Sequence, residues 1–135
     1  MPDNEAMRAV LIVEDAEMCA STLEIALGSI PDLRTITVSS AEQAWHILES
    51  EPKDIRAIVT DLQMPGMDGF ELIERIRAHE LHAGLPIIVI TGSTDPRVPE
   101  RVRVQGANAV FAKPYSPAQV REKLEQLLNG DKQID

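Results

Sequence analysis

Five short apolar runs alternate strictly with segments of helical period, and this alternation constrains the fold more than any other feature of the chain. The runs Arg8–Val13, Leu33–Val38, Ile55–Thr60, Pro86–Thr91 and Asn108–Ala112 read as strands. The segments Ala16–Gly28, Ala41–Ser50, Phe70–Glu80, Pro96–Gln105 and Pro117–Asn129 read as helices. Successive strands joined by helix-length connections pair in parallel, and such a sheet carries helices on both faces. Four runs are nearly continuous in Val, Ile, Leu and Ala, as strands covered on both faces must be. The run Leu33-Arg34-Thr35-Ile36-Thr37-Val38 is more polar and reads as an edge strand. Five units of this kind wind with strand order 2-1-3-4-5. That order makes the first and third strands neighbours at a topological switch point, where ligands bind beyond the strand C-termini.

The chain is 135 residues long, the length of one domain with a self-sufficient core. Residues 1–7 are expected as an N-terminal extension, 8–129 as the folded domain and 130–135 as a polar tail. No apolar run reaches the roughly 18 residues of a membrane span, and the acidic, polar start Met1–Glu5 is unlike a signal peptide. Cys19 is the single cysteine, which rules out an internal disulfide and suits a reducing cytoplasm. With 13 basic and 22 acidic residues the formal charge is −9, the wrong sign for direct nucleic-acid binding. The spacing predicts helix caps at Ser39, in a capping box with Glu42, at Asp95 with Pro96 following, and at Ser116 with Pro117 at the first helical position. Asn129-Gly130 is a helix stop.

The chemistry lies where the runs end. Glu14-Asp15 follows the first, Asp61 the third, Thr91-Gly92 the fourth and Lys113-Pro114 the fifth. In the 2-1-3-4-5 order Glu14 and Asp15 stand beside Asp61. Two like charges about 4 Å apart at an effective dielectric near 20 repel by roughly 4 kcal/mol. A proton or a hard cation must relieve that crowding. Oxygen donors without His or Cys favour Mg2+, with Mn2+ as a substitute, over zinc. A carboxylate can attack phosphorus to give an acyl phosphate, a reaction that needs neutralised equatorial oxygens. On this reading Asp61 attacks, and the metal sits on Asp15, Asp61 and the Gln63 backbone carbonyl, with Glu14 acting through a water. Lys113 holds a phosphoryl oxygen, and the Thr91 hydroxyl and Gly92 amide complete the cradle.

Glu14-Asp15, Asp61 in Asp-Leu-Gln-Met-Pro-Gly-Met-Asp-Gly, Thr91 and Lys113-Pro114 together make the chain resemble a response-regulator receiver domain of two-component signalling, over about Arg8–Asn129. The resemblance implies a flavodoxin-like α/β fold, Mg2+ dependence and self-dephosphorylation. It implies phosphotransfer to Asp61 from a sensor histidine kinase or histidine phosphotransfer protein. It also implies a cis peptide before Pro114, and a downstream protein that reads the face formed by the fourth helix, fifth strand and fifth helix. Gln63 and Ser93 occupy positions that tune the hydrolytic water in that family. Many members carry Tyr or Phe three residues before the lysine, where this chain has Val110. Phe111 comes one residue later, and strand alternation points it to the other face.

Several residues carry blander readings. His79 and His82 lie near the expected end of the third helix, where imidazolium complements the dipole, and no metal-ligand spacing surrounds them. Cys19 reads as a small, partly buried residue, and Trp45 as packing beside the second helix. Pro99 is expected to loosen the start of the fourth helix, and Arg97, Arg101 and Arg103 make that helix locally basic. An aspartyl-phosphate phosphatase is the rival enzyme class, but it needs an acid two residues beyond the nucleophile, where Gln63 stands. A start at Met1 and a short tail suit a stand-alone regulator rather than a receiver excised from a hybrid kinase or transcription factor.

Overall fold

The computed structural model describes residues 8–50 and 52–130; the expected extension 1–7 and tail residues 131–135 lie outside them. The chain order is β1 Arg8–Val13, α1 Glu17–Gly28, β2 Leu33–Val38, α2 Ala41–Glu49, β3 Ile55–Asp61, α3 Gly69–Ala78, β4 Ile87–Thr91, α4 Val98–Gln105, β5 Ala109–Ala112 and α5 Pro117–Leu128. The strands form one flavodoxin-like parallel sheet in the order β2-β1-β3-β4-β5. All five expected strand–helix units are present, and β2 lies at an edge.

Successive strand residues face opposite sides of the sheet, which divides the core in two. On one side Leu11, Val13, Ile58, Ile87 and Val89 pack with Ala44, Leu48, Leu72, Ile73, Ile76 and Val102 of α2, α3 and α4. On the other, Val10, Ile12, Val59, Ile88 and Ile90 pack with Leu23, Leu27, Val120 and Leu124 of α1 and α5. Each fully buried Leu or Ile contributes about 1.5–3 kcal/mol, so the sheet is fixed from both faces and its C-terminal rim is held rigidly. Val110 packs on the first side and Phe111 on the second, as the alternation requires.

The helix ends differ from the sequence expectation in instructive ways. The cap of α2 is Ser40, not Ser39: Ser40 Oγ accepts the Gln43 N–H at 3.1 Å, and Gln43 Oε1 accepts the Ser39 N–H at 2.9 Å. Gln43, not Glu42, therefore reaches back to the start of α2, and the amide it holds is that of Ser39, the residue before the cap, which leaves Glu42 free. Asp68 caps α3 by accepting the Glu71 N–H at 3.0 Å, so the helix starts one residue early, at Gly69. It ends at Ala78, and His79 is already in extended backbone. Residues 95–97 form a turn in which Asp95 Oδ1 accepts the Arg97 N–H at 2.9 Å. The helix begins after that turn, with no side-chain cap and with Pro99 in its first turn. A missing amide costs nothing there, so Pro99 does not disrupt α4 as its position in the sequence suggests. Ser116 caps α5 as expected, accepting the Gln119 N–H at 3.2 Å.

Candidate functional site

The hydrogen-bond ladder of the sheet brings the ends of β1, β3, β4 and β5 to one rim. Glu14, Asp15 and Asp61 each offer a carboxylate oxygen, and these lie within 4.8 Å of one another. Glu14 and Asp61 are buried, at 3% and 5% exposure, whereas Asp15 is exposed. Asp61 Oδ2 accepts from Lys113 Nζ at 2.8 Å, and its Oδ1 accepts the Gln63 N–H at 3.2 Å. Glu14 Oε2 accepts the Ala16 N–H at 3.0 Å, and Glu14 Oε1 stands 3.7 Å from Lys113 Nζ.

The electrostatics are unbalanced. Three acids face one ammonium. Burial raises the Glu14 carboxyl above the usual glutamate range; the Ala16 amide opposes this and the neighbouring Asp61 charge adds to it. Burial draws the Lys113 ammonium down, but its bond to Asp61 and the nearby charges outweigh burial and hold it above the ordinary lysine value. Burial likewise raises the Tyr115 phenol, which lies behind the rim. An all-oxygen donor set with surplus negative charge suits a hard divalent cation that keeps part of its water shell.

Thr91 is 2% exposed, and its Oγ1 accepts the Ser93 N–H at 3.0 Å. Ser93 Oγ in turn accepts the Asp95 N–H at 3.1 Å. The loop from β4 to α4 is thus a relay of short side-chain turns that begins at Thr91. The Lys113 N–H donates to the Thr91 carbonyl at 2.8 Å, and the Lys113–Pro114 peptide is cis. A Cβ on Gly92 would meet Lys113 Cδ at 3.7 Å, an ordinary contact, so the space at Gly92 becomes critical only if a ligand approaches its amide.

Glu14, Asp15, Asp61 and Lys113 meet at this rim, Gln63 touches it through its amide, and Thr91 and Gly92 stand at the adjoining end of β4. His79 and His82 do not join them. His82 is buried at the far side of the sheet, and its Nε2 lies 2.8 Å from the Leu48 carbonyl, so Nε2 carries the proton. Its ring stacks on His79, which meets Trp45 edge-on. Glu42, expected in a capping box with Ser39, instead accepts the Met67 N–H at its Oε2, at 2.9 Å. A contact spanning 25 residues leaves no periodic trace in the sequence.

The sequence matches the family model of the response regulator receiver domain over residues 10–125. This chain belongs to that family. The receiver is 30% identical over 122 residues to chemotaxis protein CheY-3 of Vibrio cholerae, covering 87% of this chain and 89% of that protein. It is 27% identical over 119 residues to the chemotaxis protein CheY homolog of Campylobacter jejuni, covering 88% and 91%. The crystal structure of a response regulator receiver protein from Pseudomonas putida superposes with a TM-score of 0.80 at 31% identity, covering 90% of this chain and 98% of that one. Among the described residues no helix is long and apolar enough to cross a membrane.

Proposed function

We propose that this receiver is a phosphorylation-controlled binding module in which Asp61 accepts a phosphoryl group from a sensor histidine kinase or histidine phosphotransfer protein. The observation that carries this reading is the Asp61 carboxylate. It is buried at the end of β3, bonded to Lys113 and crowded by Glu14 and Asp15. Glu14, Asp15, Asp61 and the Gln63 carbonyl would hold Mg2+, with Mn2+ as a substitute, and Glu14 would act mainly through a water. Bound there, the ion supplies positive charge against the phosphoryl oxygens.

An Asp61 oxygen attacks phosphorus as the P–N bond to the donor imidazole breaks. The imidazole nitrogen leaves with the bonding pair, and an acyl phosphate remains. Lys113 transfers its hydrogen bond from the carboxylate to a phosphoryl oxygen. The Thr91 hydroxyl, now an acceptor for the Ser93 amide, turns to donate to the phosphoryl group, and the Gly92 amide adds a second donor. That rotation releases the first turn of the Thr91–Ser93–Asp95 relay, which leads into the uncapped start of α4. A partner then reads the α4–β5–α5 face, where Pro99 and Arg103 of α4, Val110 of β5 and Lys123 of α5 line one groove. Because Val110 is small and already packed, the relay runs through the loop rather than through an aromatic rotamer. The charge of −9 favours a protein partner over nucleic acid.

Incubation with acetyl phosphate and Mg2+ is expected to add one phosphate, visible by intact mass, and chelation is expected to prevent it. The Asp61→Asn variant is expected to show no adduct. An unchanged adduct in that variant overturns the assignment.

A further inference from the structure

The loop 63–68, which carries Gln63, joins β3 to α3. It secures its own two ends: the Gln63 N–H bonds Asp61 Oδ1 at 3.2 Å, the Gly69 N–H bonds the Leu62 carbonyl at 2.8 Å, and Asp68 caps α3. Its middle is held from elsewhere. Glu42, in the first turn of α2, accepts the Met67 N–H. The same carboxylate fills the space beside Gly66, whose φ is +81°; a Cβ there would stand 2.4 Å from Glu42 Oε2. Among the described residues no other side chain outside 61–71 bonds to this loop.

We infer that Glu42 is a positioning residue for the site: by holding the Met67 amide and packing under Gly66, it fixes the 63–68 loop and so aims the Gln63 carbonyl at the metal position beside Asp61. This rests on the reading of Asp61 and Gln63 given above. The Met67 amide, as the largest cause, holds the Glu42 carboxyl below the usual glutamate range, so a charged acceptor occupies the tether at neutral pH. An exposed bond of this kind adds little to global stability. Its effect is on the placement of a ligand group, where an outer-shell partner commonly changes metal affinity by about tenfold or more. Glu42 also places another negative charge on the groove that Glu14 and Asp15 line, so position and charge must be separated. A Gln at 42 keeps an acceptor for the Met67 amide and loses the charge, whereas an Ala loses both.

The test compares wild type, Glu42→Gln and Glu42→Ala in full-length protein by two measurements. Amide exchange at Gly66 and Met67, without metal, reads the tether. Calorimetric titration with Mg2+ reads its consequence. Glu42→Ala is expected to speed exchange at Met67 and to weaken Mg2+ about tenfold, with an unchanged urea midpoint. Glu42→Gln is expected to stay close to wild type in both. Unchanged exchange in Glu42→Ala removes the tether and overturns the inference. An equal loss of Mg2+ affinity in Glu42→Gln and Glu42→Ala, with Met67 still protected in the former, makes Glu42 an electrostatic residue and also overturns it. A wild type that binds no Mg2+ while Glu42→Ala still frees Met67 strikes instead at the metal reading of Asp61 and Gln63.

Discussion

The two rims of the sheet treat buried charge in opposite ways. At the N-terminal rim, below β4 and β5, Arg77 from the last turn of α3 is fully matched. Its Nε and Nη2 donate to the Gly106 carbonyl at 3.1 and 2.7 Å, its Nη1 to the carbonyls of Leu85 and Ala83 at 2.7 and 3.0 Å, and its Nη2 also to Asn108 Oδ1 at 3.1 Å. Asn108 Oδ1 then accepts the Ile87 N–H at 2.8 Å. The guanidinium faces carbonyl dipoles arranged for it and needs nothing more. At the C-terminal rim Lys113 has the nearby carboxylates of Asp61 and Glu14, and the acids outnumber it. A satisfied cation makes a fixed joint, whereas a rim with surplus charge is poised to take up a ligand. The receiver couples the two: α4 is pinned at its C-terminal end through Gly106 and Arg77, and its other end follows the loop from Thr91.

The largest expected effect tests the fixed joint. Arg77→Ala leaves several partly buried carbonyls without donors, at about 1–3 kcal/mol for each that water cannot reach. A total loss of about 3 kcal/mol is expected in urea unfolding. Adduct formation at Asp61 under native conditions should be little changed. Lys113→Met should show the reverse: a greatly slowed adduct, and in saturating Mg2+, which offsets the charge left on the buried acids, a stability closer to wild type than that of Arg77→Ala. If the two variants lose equal stability, the contrast between the rims fails.

Metal addition comes next. Mg2+ at about 100 times its dissociation constant is expected to stabilise the wild type by about 2.7 kcal/mol, read as a rise in thermal midpoint. Asp15→Asn should lose most of that gain. Without metal, Asp15→Asn should be slightly more stable than wild type, by under about 1 kcal/mol after solvent screening, since it removes an acid from a crowded rim. A variant less stable than wild type in the absence of metal would show that the crowding is already relieved within the protein.

The same contrast explains what the sequence disclosed. Asp61, Glu14, Asp15, Thr91 and Lys113 were legible because each ends an apolar run, and strand order alone brings run ends together. Arg77 was not. On α3 it looks like any polar helix residue, and its partners lie 6, 8, 29 and 31 residues away. Glu42 was misread for a related reason. Ser39 and Ser40 both offer a capping hydroxyl, and which of them caps depends on the direction in which β2 delivers the chain. Once Ser40 caps, Gln43 reaches back to the Ser39 amide and Glu42 turns to Met67. Local chemistry named the devices correctly, and tertiary geometry decided which residues operate them.

The smallest effect concerns Glu14 and the pH dependence of the poised rim. Its folded carboxyl lies above the reference value of 4.5, first because it is buried and then because of Asp61, with the Ala16 amide opposing. As pH rises the unfolded chain loses this proton first, so folding takes up a proton between the two values. Stability therefore falls as pH rises through that window and levels off above the folded value. Glu14→Gln keeps an acceptor for the Ala16 amide and has no proton to exchange. Without metal, the difference in urea midpoint between Glu14→Gln and wild type should widen in favour of the variant from pH 4.5 upward. Other acids titrate in the same range, but they largely cancel in this difference. Saturating Mg2+ should narrow it, because the ion competes with the proton for the same acids. Parallel profiles without metal would mean that the buried Glu14 carboxylate is already fully compensated, and the C-terminal rim would then be as well matched as the one around Arg77.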